Sequence, residues 1–462
     1  MQFSPLPSEY LTAAGAKLAA VSTTGTYLPE PVAAPALAAP APANALVAVT
    51  ILVLFVLAAV VSAARKDISR GFDEVAHVSY VAHIQASGDL TPALEAMRLI
   101  DPQTFRFTGA ANYLNHPPFY YALHALLGPA LAGRPQALFA HRLIDVAMAA
   151  AGLAALLGLG LAARLPRLQF YAYAVPVVCV PVLAPLAGAV NDDNLAFCGG
   201  AVAMLGVWQL LATGRGKWLA PALAGVAIAG LAKLTGLLLT APLVSGGLVY
   251  LLWRRRLTGA QALTAIVAAA LVFALAAAPY CDFMLRYGSP TPQTPAQLAL
   301  IADGARATGW ADLPRRSFPG YVLYFVGAFV AGWMPTLGAR GALNDAMLVI
   351  PVAALGCAAA GCAVSLRRLR RRQERALDVV VIAGALALAA TFAVHVSYSY
   401  SRYVATGWLM DAYPRYYLPL IAIVPLAGLS LLAALESPRR RNALLMFLIA
   451  GPIVFRLLGA PL

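Results

Sequence analysis

A chain of 462 residues that is 61% apolar and only 11% charged, with a mean hydropathy of +0.76, reads as a polytopic integral membrane protein and leaves little composition for a separate soluble domain. Its formal net charge of +14 comes mostly from arginines gathered between apolar runs, at 164–167, 254–256, 367–375 and 439–441, with Arg215 and Lys217 between them. Under the positive-inside rule such clusters mark cytoplasmic loops, which excludes a nucleic-acid surface.

Residues 1–42 are rich in Ala and Pro and lack the basic start and short apolar run of a cleaved signal peptide. They predict a disordered cytoplasmic tail ahead of a transmembrane domain over 43–462. Residues 43–64 supply the roughly 20 apolar residues that a first span needs. A polar segment over 65–137 follows, and a second over 280–343; both read as outer segments. The first carries Phe72-Asp73-Glu74-Val75-Ala76-His77. If that stretch is helical, both acids share a face with His77, and such groups at a bilayer edge are functional candidates.

Two apolar runs, 117–132 and 321–334, are short or broken. If neither crosses, every basic cluster falls on the inner side, giving 11 spans with the N-terminus inside and the C-terminus outside. If both cross, the count is 13. The 36-residue run 218–253 is too long for one helix, and Lys233 near its middle predicts an outward turn between two short helices. The expected fold is therefore all-α, with about 11–13 transmembrane helices and membrane-hugging helices in the outer loops. No internal repeat is evident, which weighs against an inverted-repeat transporter.

In the 11-span reading the outer face collects Asp73, Glu74, His116, Asn191-Asp192-Asp193-Asn194, Lys233 and a late stretch holding Arg402, Tyr403, Arg415 and Tyr416. Carboxylates there can take a proton from a hydroxyl, while Lys and Arg bind a leaving phosphate, so the set suits group transfer from a lipid phosphate. Blander readings stand beside this one. The Asn-Asp-Asp-Asn run also reads as a helix cap, Lys233 as a snorkelling side chain, and the late Tyr/Arg cluster as an aromatic belt. The Asp73, Glu74, His77 grouping is a candidate for a divalent metal, short of a third firm ligand from elsewhere. The five cysteines form no CxxC pair and read as small core residues.

In order along the chain, Phe72-Asp73-Glu74-Val75-Ala76-His77, Asn115-His116-Pro117-Pro118-Phe119-Tyr120-Tyr121, Asn191-Asp192-Asp193-Asn194-Leu195-Ala196, Leu231-Ala232-Lys233-Leu234-Thr235 and Pro414-Arg415-Tyr416-Tyr417-Leu418-Pro419 resemble the membrane glycosyltransferases of the C superfamily. The resemblance is to bacterial relatives of the protein O-mannosyltransferases and of the lipid A aminoarabinose transferase. It implies a GT-C-like enzyme in the bacterial inner membrane, facing the periplasm, that moves a sugar from a polyprenyl-phosphate carrier to a glycan, lipid or protein of the cell envelope. It further implies Asp73 as the catalytic carboxylate with Glu74 beside it, Asp192 or Asp193 as a second acid, Lys233 as a phosphate contact, and His77 and His116 at the site. The competing expectation is a flippase for lipid-linked sugars, in which the same charges would line a path through the membrane.

Overall fold

The computed structural model describes residues 42–332, 348–409 and 412–459. The tail expected over 1–41, and residues 333–347 of the second outer segment, lie outside them. The chain is a multi-pass helical membrane protein. Its helices run α1 (Pro42–Arg65), α2 (Glu74–Ser87), α3 (Phe119–Leu127), α4 (Leu138–Ala162), α5 (Arg167–Val178), α6 (Leu183–Ala187), α7 (Asp193–Thr213), α8 (Leu219–Ala232), α9 (Leu234–Trp253), α10 (Gly259–Tyr287), α11 (Pro295–Ala307), α12 (Phe318–Ala331), α13 (Val349–Arg370), α14 (Ala376–Thr406), α15 (Ile423–Leu432) and α16 (Pro438–Gly459). One ribbon departs from the all-helical expectation: β1 (Arg98–Ile100) pairs antiparallel with β2 (Phe107–Ala111), with Arg98 opposite Ala111 and Ile100 opposite Phe107.

Seven helices are long and apolar enough to cross a membrane alone, and the tight 3-10 stretch Pro414–Leu420 with α15, bent by 61°, makes an eighth candidate. Three further passes use material that fails that test. These are α8, which is short; α16; and the α5–α6 pair, broken at Cys179–Pro181. Contacts fix their directions. Asn44 donates to the Leu165 carbonyl, so α1 starts at the end that carries the arginines. Arg142 donates to the carbonyls of Ala63 and Lys66, so α1 finishes where α4 begins. Arg456 donates to the Pro181 carbonyl, which places the end of α16 at the break between α5 and α6, and α16 packs along α5. With these three the passes would number eleven, the count of the shorter reading, while seven or eight are candidates by length and composition among the described residues. Helix α3 has nine residues, too few to cross alone, and α12 packs on α14 through Phe318–Tyr400, Tyr321–Tyr403 and Phe325–Phe392 ring contacts.

Without a hydrophobic drive between helices in lipid, close packing comes from small residues. Gly199 and Gly225 let α7 and α8 touch backbone to backbone: a Cβ on Gly199 would sit 2.4 Å from the Ala229 nitrogen. Gly361 on α13 is tighter still, since a Cβ there would fall 1.9 Å from the Ala427 carbonyl oxygen of α15. Gly361→Ala is therefore expected to force the two helices apart and cost about 1–3 kcal/mol, read as a lower melting temperature of the purified protein. Unchanged melting would mean that α13 and α15 are not in this contact.

The cysteine expectation holds in part. Cys179, Cys198, Cys357 and Cys362 are half-buried, but Cys281 is exposed on α10. That helix packs against α8 and α9 and leaves one long apolar side uncovered, which is where Cys281 falls.

Candidate functional site

The site is built at the helix ends opposite the arginine clusters. Gly71, Phe72 and Asp73 all take left-handed backbone angles, with φ of 81°, 62° and 57°. Only Gly adopts this freely, so Phe72 and Asp73 are held at a cost on the order of 1–3 kcal/mol each, by contacts made elsewhere. The turn is pinned from two sides. Asn191 donates to the Phe72 carbonyl at 2.8 Å, and the Lys66 ammonium lies over the Phe72 ring, with Nζ 4.3 Å from the ring centre. The turn leaves Asp73 preceding α2 with its carboxylate 47% exposed.

Two groups hold that carboxylate. Tyr113 donates to Oδ1 at 3.2 Å, and Arg415 donates to Oδ2 at 3.1 Å. Arg415 in turn sits 3.2 Å from Asp193 Oδ2, and Asp193 Oδ1 accepts from Lys233 at 2.8 Å. Lys233 also reaches Asp192 Oδ1 at 3.4 Å, and Asp192 Oδ2 lies 3.5 Å from His116 Nδ1. The ring of Tyr416 lies under the ammonium, 4.1 Å from Nζ. Five charged groups from four separate parts of the chain thus form one continuous chain of contacts.

The break at Lys233 is what delivers the ammonium. Helix α8 ends at Ala232 and α9 starts at Leu234, and the residue between them is extended, with φ −159° and ψ 144°. The sequence placed Lys233 at the outer surface, whereas it is buried at 5% exposure, because the carboxylates of α7 draw it inward. Burial alone would lower its ammonium, yet Asp192 and Asp193 hold it above the usual lysine range. His116 stays neutral: burial, helped by Lys233, lowers its imidazole to about 3. Asp192 and Asp193 both touch Lys233.

Glu74 does something else. It is 1% exposed and spends both oxygens on a clasp. Arg142 binds it with two parallel bonds of 2.7 and 2.8 Å, the Val190 N–H donates at 2.9 Å, and Lys66 lies 3.4 Å away. This ties α2 to α4 and to the strand of chain entering α7. Glu74 beside Asp73 in sequence is thus not beside it in chemistry.

His77, expected one turn below Asp73 on a shared face, is buried between Tyr121 at 2.9 Å and Asn191 at 3.0 Å. Burial first, then neighbouring cations, keep its imidazole well below the usual range and neutral. It is a brace for the Asn191 turn. Asp73, Glu74 and His77 therefore have separate partners, and among the described residues no group of three or more His, Cys, Asp or Glu side chains is placed to hold a metal ion.

Arg402 and Tyr403 are not brought to the charged chain by the contacts described. Helix α14 runs on to Thr406, so both are helical, with Arg402 over the Tyr398 ring and Tyr403 buried against Tyr321. Tyr403 accepts from the Arg316 N–H at 2.9 Å and belongs to a satellite core with Phe325, Val396 and Leu409.

Sequence reasoning missed Tyr113, Arg142 and Lys66. Arg142 had a signal: it is an arginine inside an apolar run, next to His141 and three positions before Asp145, and such residues are costly unless paired. Tyr113 had none, since a tyrosine in a loop has many ordinary uses.

Beside the charged chain, Tyr417 leads into an apolar cavity of about 400 Å³ lined by Phe329, Leu355, Cys362, Leu388 and Phe392 among others. No model of a known family and no curated protein matches the chain. Among solved structures it is similar to the crystal structure of ArnT from Cupriavidus metallidurans in the apo state, at 19% identity and a TM-score of 0.47, over 87% of this chain and 62% of that one. This chain thus spans less than two thirds of the length of that first structure. It is also similar to the crystal structure of ArnT from the same organism bound to undecaprenyl phosphate, at 16% identity and a TM-score of 0.35, over 89% of this chain and 85% of that one. The chain is a multi-pass helical membrane protein whose likeness to ArnT runs over most of its own length.

Proposed function

We propose that the chain is an inverting glycosyltransferase that uses a polyprenyl-phosphate sugar as donor, in a bacterial inner membrane, with the site toward the periplasm. One observation carries the reading: a half-exposed carboxylate, Asp73, is linked through Arg415 to a buried lysine at a helix break. A base and an anion clamp then stand side by side, as transfer from a lipid phosphate requires. The positive-inside orientation supports the periplasmic assignment, because the arginine clusters occupy the opposite end.

In the step proposed, Asp73 removes the proton of an acceptor hydroxyl on an envelope glycan, lipid or protein. The hydroxyl oxygen attacks the anomeric carbon, the bond from that carbon to the phosphate oxygen breaks with inversion, and the prenyl phosphate leaves. Negative charge grows on the phosphate as it departs, and Lys233 and Arg415 are the groups to meet it. Tyr113 would hold Asp73 in place, and Glu74, through Arg142, would hold the turn that presents it. The apolar cavity beyond Tyr417 is suited to the first isoprene units.

The test is to supply membranes containing the protein with labelled polyprenyl-phosphate sugars and follow the label. Label that leaves the prenyl carrier for a second molecule supports the transferase. Label that stays on the carrier and becomes accessible on the other membrane face would replace this reading with a flippase.

A further inference from the structure

Three carboxylates, Asp73, Asp192 and Asp193, face two cations, Lys233 and Arg415, and the imidazole of His116 is uncharged. The other groups around Asp192 are the phenols of Tyr120, Tyr121 and Tyr280, with Arg415 and Asp73 farther off. Glu74, Arg142 and Lys66 form a separate ion group tied together by their own contacts. The phosphate-binding cations are therefore already outnumbered before any anion arrives. Arg415 Nε and Asp193 Oδ2, 3.2 Å apart, and Asp192 Oδ2, 3.5 Å from His116, make ion contacts without hydrogen-bond geometry, so Asp192 Oδ2 has no donor of its own.

We infer that Asp192 takes up one proton when a phosphate binds on Lys233 and Arg415. This deepens, and rests on, the reading of the cluster as a lipid-phosphate site. An uncompensated charge in a buried site is costly, and a carboxylate in that position neutralises instead. Of the three acids Asp192 is the one least held in its ionised form. Asp73 accepts two hydrogen bonds and is half open to solvent. Asp193 touches both cations, and its bond to Lys233 is 2.8 Å. Asp192 is fully buried, its contact with Lys233 is 3.4 Å, and Arg415, which touches Asp73 and Asp193, acts on it only from farther off. A phosphate that occupies the ammonium removes that support. Burial already pushes the Asp192 carboxyl above the usual carboxylate range, against the pull of Lys233.

The linkage has a definite sign. Where Asp192 is ionised in the free protein and protonated in the complex, affinity for the anion falls as pH rises, by up to about tenfold per pH unit for one proton. The experiment uses the purified full chain in lipid nanodiscs and undecaprenyl methyl phosphate, a diester with no titration of its own near neutral pH. Calorimetry in buffers of different ionisation enthalpy counts the protons taken up, with about one expected for the wild type. Asp192→Asn is expected to bind with affinity independent of pH and with no proton uptake. Wild-type binding with no proton uptake overturns the inference and leaves the lipid-phosphate site standing. Retention of the proton uptake in Asp192→Asn also overturns it. No binding of the probe at any pH removes the lipid-phosphate reading on which it rests.

Discussion

Arg142→Ala is expected to lower the stability of the protein by about 3–5 kcal/mol, the cost of leaving a buried charge without its partner. Glu74 is the residue left behind. It lies buried among α1, α2, α4 and the segment leading into α7, and Lys66, 3.4 Å from one of its oxygens, is too distant to replace a two-point guanidinium clasp. Because Arg142 also donates to the carbonyls of Ala63 and Lys66, its loss frees the end of α1 as well. The measurement is thermal unfolding in detergent. The double variant Glu74→Leu with Arg142→Met is expected to recover most of the loss, since apolar groups of similar volume replace a buried pair at little cost. A wild-type melting temperature in Arg142→Ala would show that the clasp does not hold the Asp73 turn.

The second large effect is on activity. Lys233→Ala should reduce transfer by about 10²–10³-fold, the usual consequence of removing one donor from a developing oxyanion. It should also weaken binding of undecaprenyl phosphate, because Arg415 would be left alone against three carboxylates. Reduced transfer with unaltered binding would place the ammonium's effect in the transition state only. Both quantities unchanged would remove Lys233 from the site.

Much of this was legible in the sequence because charges are rare in an apolar chain. A lysine amid 36 apolar residues could be read as a helix break, and the run Asn191-Asp192-Asp193-Asn194 as the start of a helix near the site. The Pro414-Arg415-Tyr416 stretch was likewise visible, and Arg415 proves to be the link between Asp73 and Asp193. What was not legible depended on where each side chain turns. Asp73 and Glu74 are neighbours in sequence, but the left-handed backbone at Asp73 sends one toward solvent and leaves the other in the core. The apolar stretch 167–187 breaks into α5 and α6, with Pro176 and Pro181 near the break. The β1–β2 ribbon gave too short a pattern to separate from loop.

The account turns on Asp73 as the base. Its most direct test is the rate of sugar release from labelled polyprenyl-phosphate donors by Asp73→Asn, set against wild type at equal amounts of folded protein in the membrane. Asn keeps the size and one of the two accepting oxygens that Tyr113 and Arg415 use, but it cannot take a proton, so the rate is expected to fall by about 10²–10⁴-fold. Transfer at the wild-type rate in Asp73→Asn would contradict the account.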